Sequence, residues 1–229
     1  AGAVTLLTIA VVQLAIVRQA GAGHDHTSVW RAVAANNSLG LLRVAQIRPL
    51  ILYHLLFALG LNAFYEFYPL WLVERFQFDS IRIGWATVAI TTAMIISSIY
   101  AVGPVEDRFG PLGTVRRFSI VLGVVFLLLP LAGANSLYPA FIACGALIAV
   151  ANGVFPAYMA NRFEEHGLGR VQGLLTTNFC AANVVIALVG SAIALLGAGW
   201  SLFAGGVLCI TASSWLWLGV PRRIDASAQ

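Results

Sequence analysis

Long, almost uncharged runs of apolar residues dominate the chain and constrain its fold more than any other feature. A membrane-crossing helix needs about 20 apolar residues to pass roughly 30 Å of hydrocarbon. Only 10% of the residues are charged, whereas a soluble domain carries about 25%. The sequence therefore predicts an all-α, integral, multi-pass membrane protein and excludes an ordinary water-soluble enzyme. The predicted spans are residues 3–17, 49–73, 83–104, 118–134, 137–160, 171–197 and 200–220.

The arginines divide the connecting segments into two unequal sets. The set that contains the long loop 18–48 and the C-terminus holds 11 of the 13 arginines, and the other set holds only Arg75 and Arg82. Basic residues accumulate on the cytoplasmic side of membrane proteins. We therefore expect a cytoplasmic C-terminus, in the inner membrane of a bacterium. The net charge of +4 follows from this asymmetry and gives no reason to expect a nucleic-acid partner.

Loop lengths predict four regions. Residues 1–17 are interpreted as the end of a transmembrane helix that begins upstream, because a signal peptide needs an initiating Met and a basic first segment. The cytoplasmic loop 18–48 follows. Short connections then predict one compact six-helix bundle over 49–220, with a cytoplasmic tail at 221–229.

The cysteines and histidines give little indication of a metal or a catalytic site. Cys144, Cys180 and Cys209 lie in apolar runs without CxxC or Cys/His spacing, and we expect small buried residues. His54 is interpreted as an interfacial residue and the His-Asp-His segment 24–26 as solvated. We expect no cofactor and no metal. Neither HExxH nor GxSxG occurs, so an intramembrane enzyme is not expected.

Four of the last six predicted spans carry polar or small residues at helical spacing, whereas the spans 118–134 and 200–220 contain few polar residues. Either close helix packing or an aqueous cavity explains a single stripe. The occurrence of such stripes on four helices and not on the other two favours a cavity. The stripes are Ala58, Asn62, Tyr65 and Pro69; Thr87, Thr91, Met94 and Ser98; Gly145, Ala149, Asn152, Pro156 and Met159; and Thr176, Cys180, Asn183, Ala187 and Gly190.

Glu66 is the one acidic residue well inside a predicted span, about 25 Å from a helix start near Pro49. An uncompensated carboxylate in the membrane is costly, so this one must be protonated, paired or in contact with water. Three interpretations stay open: a group that exchanges a proton, a counter-charge for a cationic substrate, or a partner of Arg75 or Arg82. The predicted contacts of a small-molecule substrate are Asn62, Tyr65, Glu66, Thr91, Asn152 and Asn183.

The most specific motif joins the second and third of the last six spans. Residues 103–110 read Gly-Pro-Val-Glu-Asp-Arg-Phe-Gly, and two more arginines follow. The glycines permit close approach and a tight turn, and the aspartate can face the positive end of a neighbouring helix. The arginines can bond carbonyl ends, carboxylates or lipid headgroups. The predicted gating residues are Gly103, Asp107, Arg108, Gly110, Arg116 and Arg117.

With this motif the chain resembles the major facilitator superfamily. The signature of that family between paired helices is G-x-L-x-D-R-x-G followed by basic residues, and its two glycines, aspartate and arginine match in register. The segment Gly169–Gly173 is similar to the G-x-x-x-G that opens the next-to-last helix of tetracycline-efflux-type drug/proton antiporters. The resemblance covers essentially the whole chain.

The resemblance implies the end of helix 6, the central loop and helices 7 to 12 of a twelve-helix secondary transporter. In that family helices 7, 8, 10 and 11 line the cavity and helices 9 and 12 face lipid, the same division as the stripes give. It also implies a latch between Asp107, its arginines and the next-to-last helix. This half would rock against a missing N-terminal half, in the same chain or in a partner.

We therefore expect alternating-access transport of a small molecule, with proton-coupled efflux as the first expectation. The open alternatives are a metabolite or sugar uptake carrier and a non-transporting sensor or scaffold with the same fold.

Overall fold

A computed structural model describes residues 38–219, and within that range the chain forms helices and no strand. Six of the helices are long and apolar enough to cross a membrane. This confirms the predicted all-α membrane bundle. The predictions for residues 1–37 and 220–229 lie outside the described residues. The helices are α1 (Ile47–Phe76), α2 (Ser80–Tyr100), the short α3 (Val102–Phe109), α4 (Pro111–Leu128), α5 (Leu137–Arg162), α6 (Leu168–Ala194) and α7 (Ala198–Gly219).

The helix ends differ from the predicted spans where charges or prolines lie. Helix α4 begins at Pro111, seven residues before the predicted start, because Gly110 turns the chain at φ 70° and proline suits a first helical turn. The arginines at 116 and 117 therefore belong to a helix and not to a loop. At its other end α4 gives way to a 3-10 turn, Leu129–Leu131, because Pro130 lacks the N–H that would continue the α-helix.

The described segments on either side of α1 also differ from the predicted loops. The segment Ser38–Arg43 of the predicted loop forms a 3-10 turn with Leu41 buried. The link to α2 is residues 77–79, and it ends where Asp79 accepts a hydrogen bond from the backbone of Arg82 at 2.9 Å. This side-chain cap satisfies one of the free N–H groups at the start of α2.

Helix α1 is the central element of the bundle. Of its spanning window 67% is buried, against 17% for α2. The Phe64 ring stacks on Phe126 of α4 with centroids 4.6 Å apart, and the Tyr53 hydroxyl lies 2.8 Å from the Ser119 hydroxyl of the same helix. Phe141 of α5 packs against the same aromatic group. These contacts fix the rotation of α1 and so determine which of its side chains remain exposed.

The packing follows an internal twofold pattern. Helix α1 packs on α6 and α7, α5 packs on α2 and α4, and α4 and α7 pack on each other. Exchanging α1 with α5, α2 with α6 and α4 with α7 leaves this pattern unchanged. Because α1 and α5 run in opposite directions, the two three-helix sets form an inverted repeat, as is typical of the family that the chain resembles.

Two adjacent glycines bring α7 close to two helices at once. A Cβ on Gly205 would lie 2.9 Å from the Gly60 carbonyl oxygen of α1, and a Cβ on Gly206 would lie 2.7 Å from the Gly123 carbonyl oxygen of α4. Small residues permit this backbone contact in membrane helices.

We call the end of the bundle that carries α3 the motif end, and the opposite end, at residues 77–79, the far end.

Candidate functional site

Exposed hydroxyl and thiol side chains are concentrated on α2 and α6, the helices that the bundle covers least (17% and 28% of their windows buried), while α7 contributes Thr211 and Ser214. The exposed side chains of α4 from 118 to 128 are instead all apolar: Val121, Val124 and Leu128. A lipid-facing surface needs no polar group, so the polar surface suits water or a ligand. It includes Thr87, Thr91, Ser98, Thr176, Thr177 and Cys180.

Glu66 lies on the exposed side of α1. Along the helix it is about 28 Å from Ile47 and about 15 Å from Phe76, well inside a 30-residue helix. Within residues 38–219 its carboxylate forms no ion pair. The structure therefore does not contain the pairing with Arg75 or Arg82 that the sequence left open.

Two side-chain contacts place α2 beside Glu66. The Tyr65 hydroxyl donates to the Met94 sulfur at 3.6 Å, and the Tyr68 hydroxyl lies 2.7 Å from the Thr87 hydroxyl. Thr91 lies between these two contacts on α2 and donates to the Thr87 carbonyl at 2.9 Å. Tyr65 and Thr91 therefore lie at about the same level of the bundle as Glu66.

Asn62 lies one turn from Glu66 on α1, but it is buried, with 3% of its surface exposed. Its Nδ2 has no hydrogen-bond partner among the described residues. A buried donor without a partner costs about 1–3 kcal/mol. Asn62 is thus placed beneath the exposed surface and not on it, with an unused donor on the residue one helical turn before Glu66.

The remaining two predicted contacts lie on α5 and α6. Asn152 is exposed on α5, and by helical rise it lies about 13 Å nearer the motif end than Glu66. Asn183 of α6 is half-buried, and its Nδ2 donates to the Phe179 carbonyl of its own helix at 3.3 Å. Within residues 38–219 neither amide forms a hydrogen bond to Glu66, Tyr65 or Thr91.

Two prolines of the predicted stripes, inside α1 and α5, carry a further signal. Pro69 and Pro156 lie within these helices, and a proline cannot bond the carbonyl four residues earlier. The released carbonyls are those of Tyr65 and Asn152, two predicted contacts. Interrupted helices in corresponding positions of two repeats are a pointer to a transporter binding site.

The α5 stripe divides between packing and exposure. A Cβ on Gly145 would overlap the carbonyl oxygen of Ile90 on α2, and Ala149 and Met159 are buried. Asn152 alone is exposed among the polar members. Three of the five residues of this stripe are therefore explained by helix contact, the alternative that the sequence left open.

The cysteines are placed differently from one another. Cys144 and Cys209 are buried as predicted, but Cys180 is exposed, contrary to the prediction. The reason is its position on the polar side of α6, between Thr176 and Asn183. Its thiol is accordingly a native reporter of that surface.

In the loop motif, the glycines have different roles. Gly110 adopts φ 70° at the turn between α3 and α4, whereas Gly103 lies inside α3 and a Cβ there would meet nothing within 4 Å. Asp107 and Arg108 are exposed. Within the described residues Asp107 forms no hydrogen bond or ion pair, so its carboxylate is available to another element.

The arginine pair after the motif is split between two environments. Arg116 is 6% exposed and its Nη2 donates to the Leu216 carbonyl near the end of α7 at 3.1 Å. Ser213 of α7 donates to the Arg116 carbonyl at 2.7 Å. Arg117 is exposed and lies over the Phe109 ring at 4.2 Å. Arg116 therefore joins α4 to the last turn of α7, where helix carbonyls lack internal partners.

Replacing Arg116 by alanine should lower the free energy of unfolding by about 2 kcal/mol, because a charged donor to a buried carbonyl is lost. Arg117→Ala should change it by about 0.5 kcal/mol or less, as for other exposed sites. The measurement is the thermal midpoint of both variants in the same detergent. Equal shifts for the two would contradict the structural assignment of Arg116.

Two polar contacts were not predicted from the sequence. Glu74 accepts a hydrogen bond from the Ala198 backbone at 3.0 Å and so links the far end of α1 to the start of α7. His54 is buried two turns inside α1 and contacts Asn178 of α6, so it is not the interfacial residue that was expected. Asn178 does not stand out in the sequence, because asparagine in a membrane helix is also common where helices pack against each other.

Six apolar spans with exposed polar side chains among them, together with a charged loop motif, define an integral, multi-pass membrane protein. The family model of the Major Facilitator Superfamily matches residues 2–228. The chain therefore belongs to the Major Facilitator Superfamily, whose members carry small molecules across membranes. No curated protein and no solved structure matched the chain.

Proposed function

We propose that the protein is a secondary active transporter that exports a small molecule by alternating access in exchange for protons. The observation that carries the proposal is Glu66, an exposed carboxylate deep in α1 with no ion pair within residues 38–219. An ionisable residue at this depth in a membrane is costly, and such residues mark functional sites. The similarity of Gly169–Gly173 to drug/proton antiporters supports the direction.

In this proposal Glu66 is neutral when it faces hydrocarbon and ionised when it faces water. A proton or a cationic ligand neutralises the carboxylate, and its release restores the charge. The Asn62 donor one turn away can bond the ionised carboxylate or an acceptor on the substrate. Tyr65 adds an aromatic ring, a hydroxyl and its own backbone carbonyl, which Pro69 leaves without a helical partner. Thr91 adds a second hydroxyl. Asn152 and Asn183 would complete the pathway toward the motif end.

The loop motif would control access at the motif end. The carboxylate of Asp107 would meet α6 in one state and be free in the other, and Gly110 provides the turn that lets α3 move on α4. We place this end, with the C-terminus, in the cytoplasm of a bacterium, since 11 of 13 arginines flank it. The second wall of the cavity would come from an N-terminal half, in the same chain or as a partner.

Alternating access is tested with Cys180, the exposed cysteine among the described residues. A charged, membrane-impermeant thiol reagent is applied to right-side-out and to inside-out vesicles. We expect labelling from both sides, because the polar side of α6 would open to each in turn. The buried Cys144 and Cys209 should contribute little.

Cys180→Ser is the matched control, and labelling should fall to background in it. Labelling from one side only would favour the non-transporting sensor or scaffold. Labelling by an uncharged, lipid-soluble maleimide but never by the charged reagent would mean that Cys180 faces lipid, and the cavity assignment of α6 would be lost.

A further inference from the structure

A buried contact between α1 and α6 joins a titratable ring to an amide. His54 is 6% exposed, and its ring stacks on Phe155 of α5 with centroids 5.5 Å apart and planes at 13°. The Asn178 Nδ2 of α6 lies 2.9 Å from His54 Nδ1. The same Nδ2 donates to the Ile51 carbonyl at 3.2 Å. The two bonds hold α6 against α1 in the half of the bundle nearer the motif end.

The second bond fixes the orientation of the amide. The Ile51 carbonyl can only accept, so the Asn178 atom that faces it must be the nitrogen and not the oxygen. The amide nitrogen has two hydrogens, and the second one points to His54 Nδ1. That ring nitrogen must therefore accept, which requires a neutral imidazole with its proton on Nε2.

A proton on Nδ1 would make the network impossible to satisfy. In the present orientation, two donors would face each other at 2.9 Å. If the amide turned over, its oxygen would accept from the imidazolium but would then face the Ile51 carbonyl oxygen. One hydrogen bond between α1 and α6 is lost in either case.

We propose that His54 and Asn178 form a proton-sensitive clasp between α1 and α6, closed when the imidazole is neutral and released when Nδ1 binds a proton. The clasp positions the helix that carries Cys180 and Asn183, and so sets how far that polar surface can separate from α1. It does not depend on the proposed transport function, since opening of α6 can be measured without a substrate.

His54 is the group of this contact that takes up a proton when the pH falls. Phe155 faces it from α5 and Asn178 from α6, while the neighbouring Tyr53 turns its hydroxyl to Ser119. No carboxylate lies on α5 or α6, and on α1 the nearest along the chain is Glu66. The nearest charged side chains along the three helices lie toward the motif end: Arg48, Arg162 and Arg170.

The test is hydrogen exchange of the α6 peptide 168–180 in the whole protein in lipid nanodiscs, corrected for intrinsic exchange. Between about pH 8 and about pH 3.5, opening of this peptide should increase about threefold to tenfold, the equivalent of one net hydrogen bond. His54→Asn keeps an acceptor at the δ position but cannot bind a proton, so its opening should not change with pH. The ¹⁵N spectrum of labelled histidine should show an unprotonated Nδ1 at the higher pH.

The matched control is His166→Asn, at the other described histidine, which lies in the connection before α6 and contacts Glu165. It should keep the native pH response. The proposal is overturned if native opening is independent of pH, if His54→Asn responds as the native protein does, or if Nδ1 carries the proton at the higher pH. Should His54→Asn fail to fold, His54→Gln and the native pH profile with its ¹⁵N spectrum decide the question.

Discussion

Replacing Gly145 by leucine is expected to lower the thermal midpoint of the protein by about 6–12 °C, the equivalent of about 3 kcal/mol for overpacking in a chain of this size. Any Cβ at this position overlaps the Ile90 carbonyl oxygen of α2. That atom belongs to a helix backbone and cannot move aside as a flexible side chain would. The contact between α2 and α5 must therefore open.

Gly153→Leu, two turns further along α5, is the matched control. Gly153 is exposed, and the nearest atom to a Cβ there is Val102 Cγ2 at 3.9 Å. Its midpoint should change little or rise slightly, since glycine is a poor helix former. Both midpoints are read from tryptophan fluorescence in one detergent. If Gly145→Leu does not fold, Gly145→Ala should still fall below Gly153→Ala, and equal midpoints would mean that α2 and α5 are not in backbone contact.

The stripe on α5 that contains Gly145 and Asn152 shows what the sequence could and could not predict. Apolar run length and arginine placement predict the six spans, because the membrane imposes a minimum length and excludes charge. A stripe of small and polar residues has the same period whether it faces a helix or a cavity. Gly145 packs and Asn152 is exposed although they share one stripe, and only the rotation of α5 against α2 separates them.

The charged residues illustrate a second limit. The predicted spans leave Arg116 in a loop with Arg117, because charge normally ends a span. Arg116 is instead inside α4, where its guanidinium reaches Leu216, a residue 100 positions away. The contact of His54 with Asn178 spans 124 positions. Such long-range polar pairs depend on which helices become neighbours, and neither residue type nor local spacing reports that.

Glu66→Gln is expected to abolish proton-driven transport and to remove most of the charge that moves when the protein, adsorbed on a solid-supported membrane, is exposed to a downward pH step. Glutamine keeps the size and hydrogen bonding of the protonated side chain but cannot exchange a proton. The charge movement needs no identified substrate, because it reports proton binding itself. What remains should disappear in the double variant with His54→Asn, the other proton-binding residue proposed in the spans.

Glu74→Gln provides the matched control on the same helix, eight residues toward the far end. Glu74 is bonded to the start of α7, and a glutamine oxygen can still accept from the Ala198 backbone. Its charge movement should equal that of the native protein. If Glu66→Gln also moves the native amount of charge, then Glu66 does not exchange a proton, and the proposed coupling fails while the assignment to the transporter family remains. Loss in both variants would instead indicate a general effect of removing charge from α1, and the special position of Glu66 beside Tyr65 and Thr91 would lose its support.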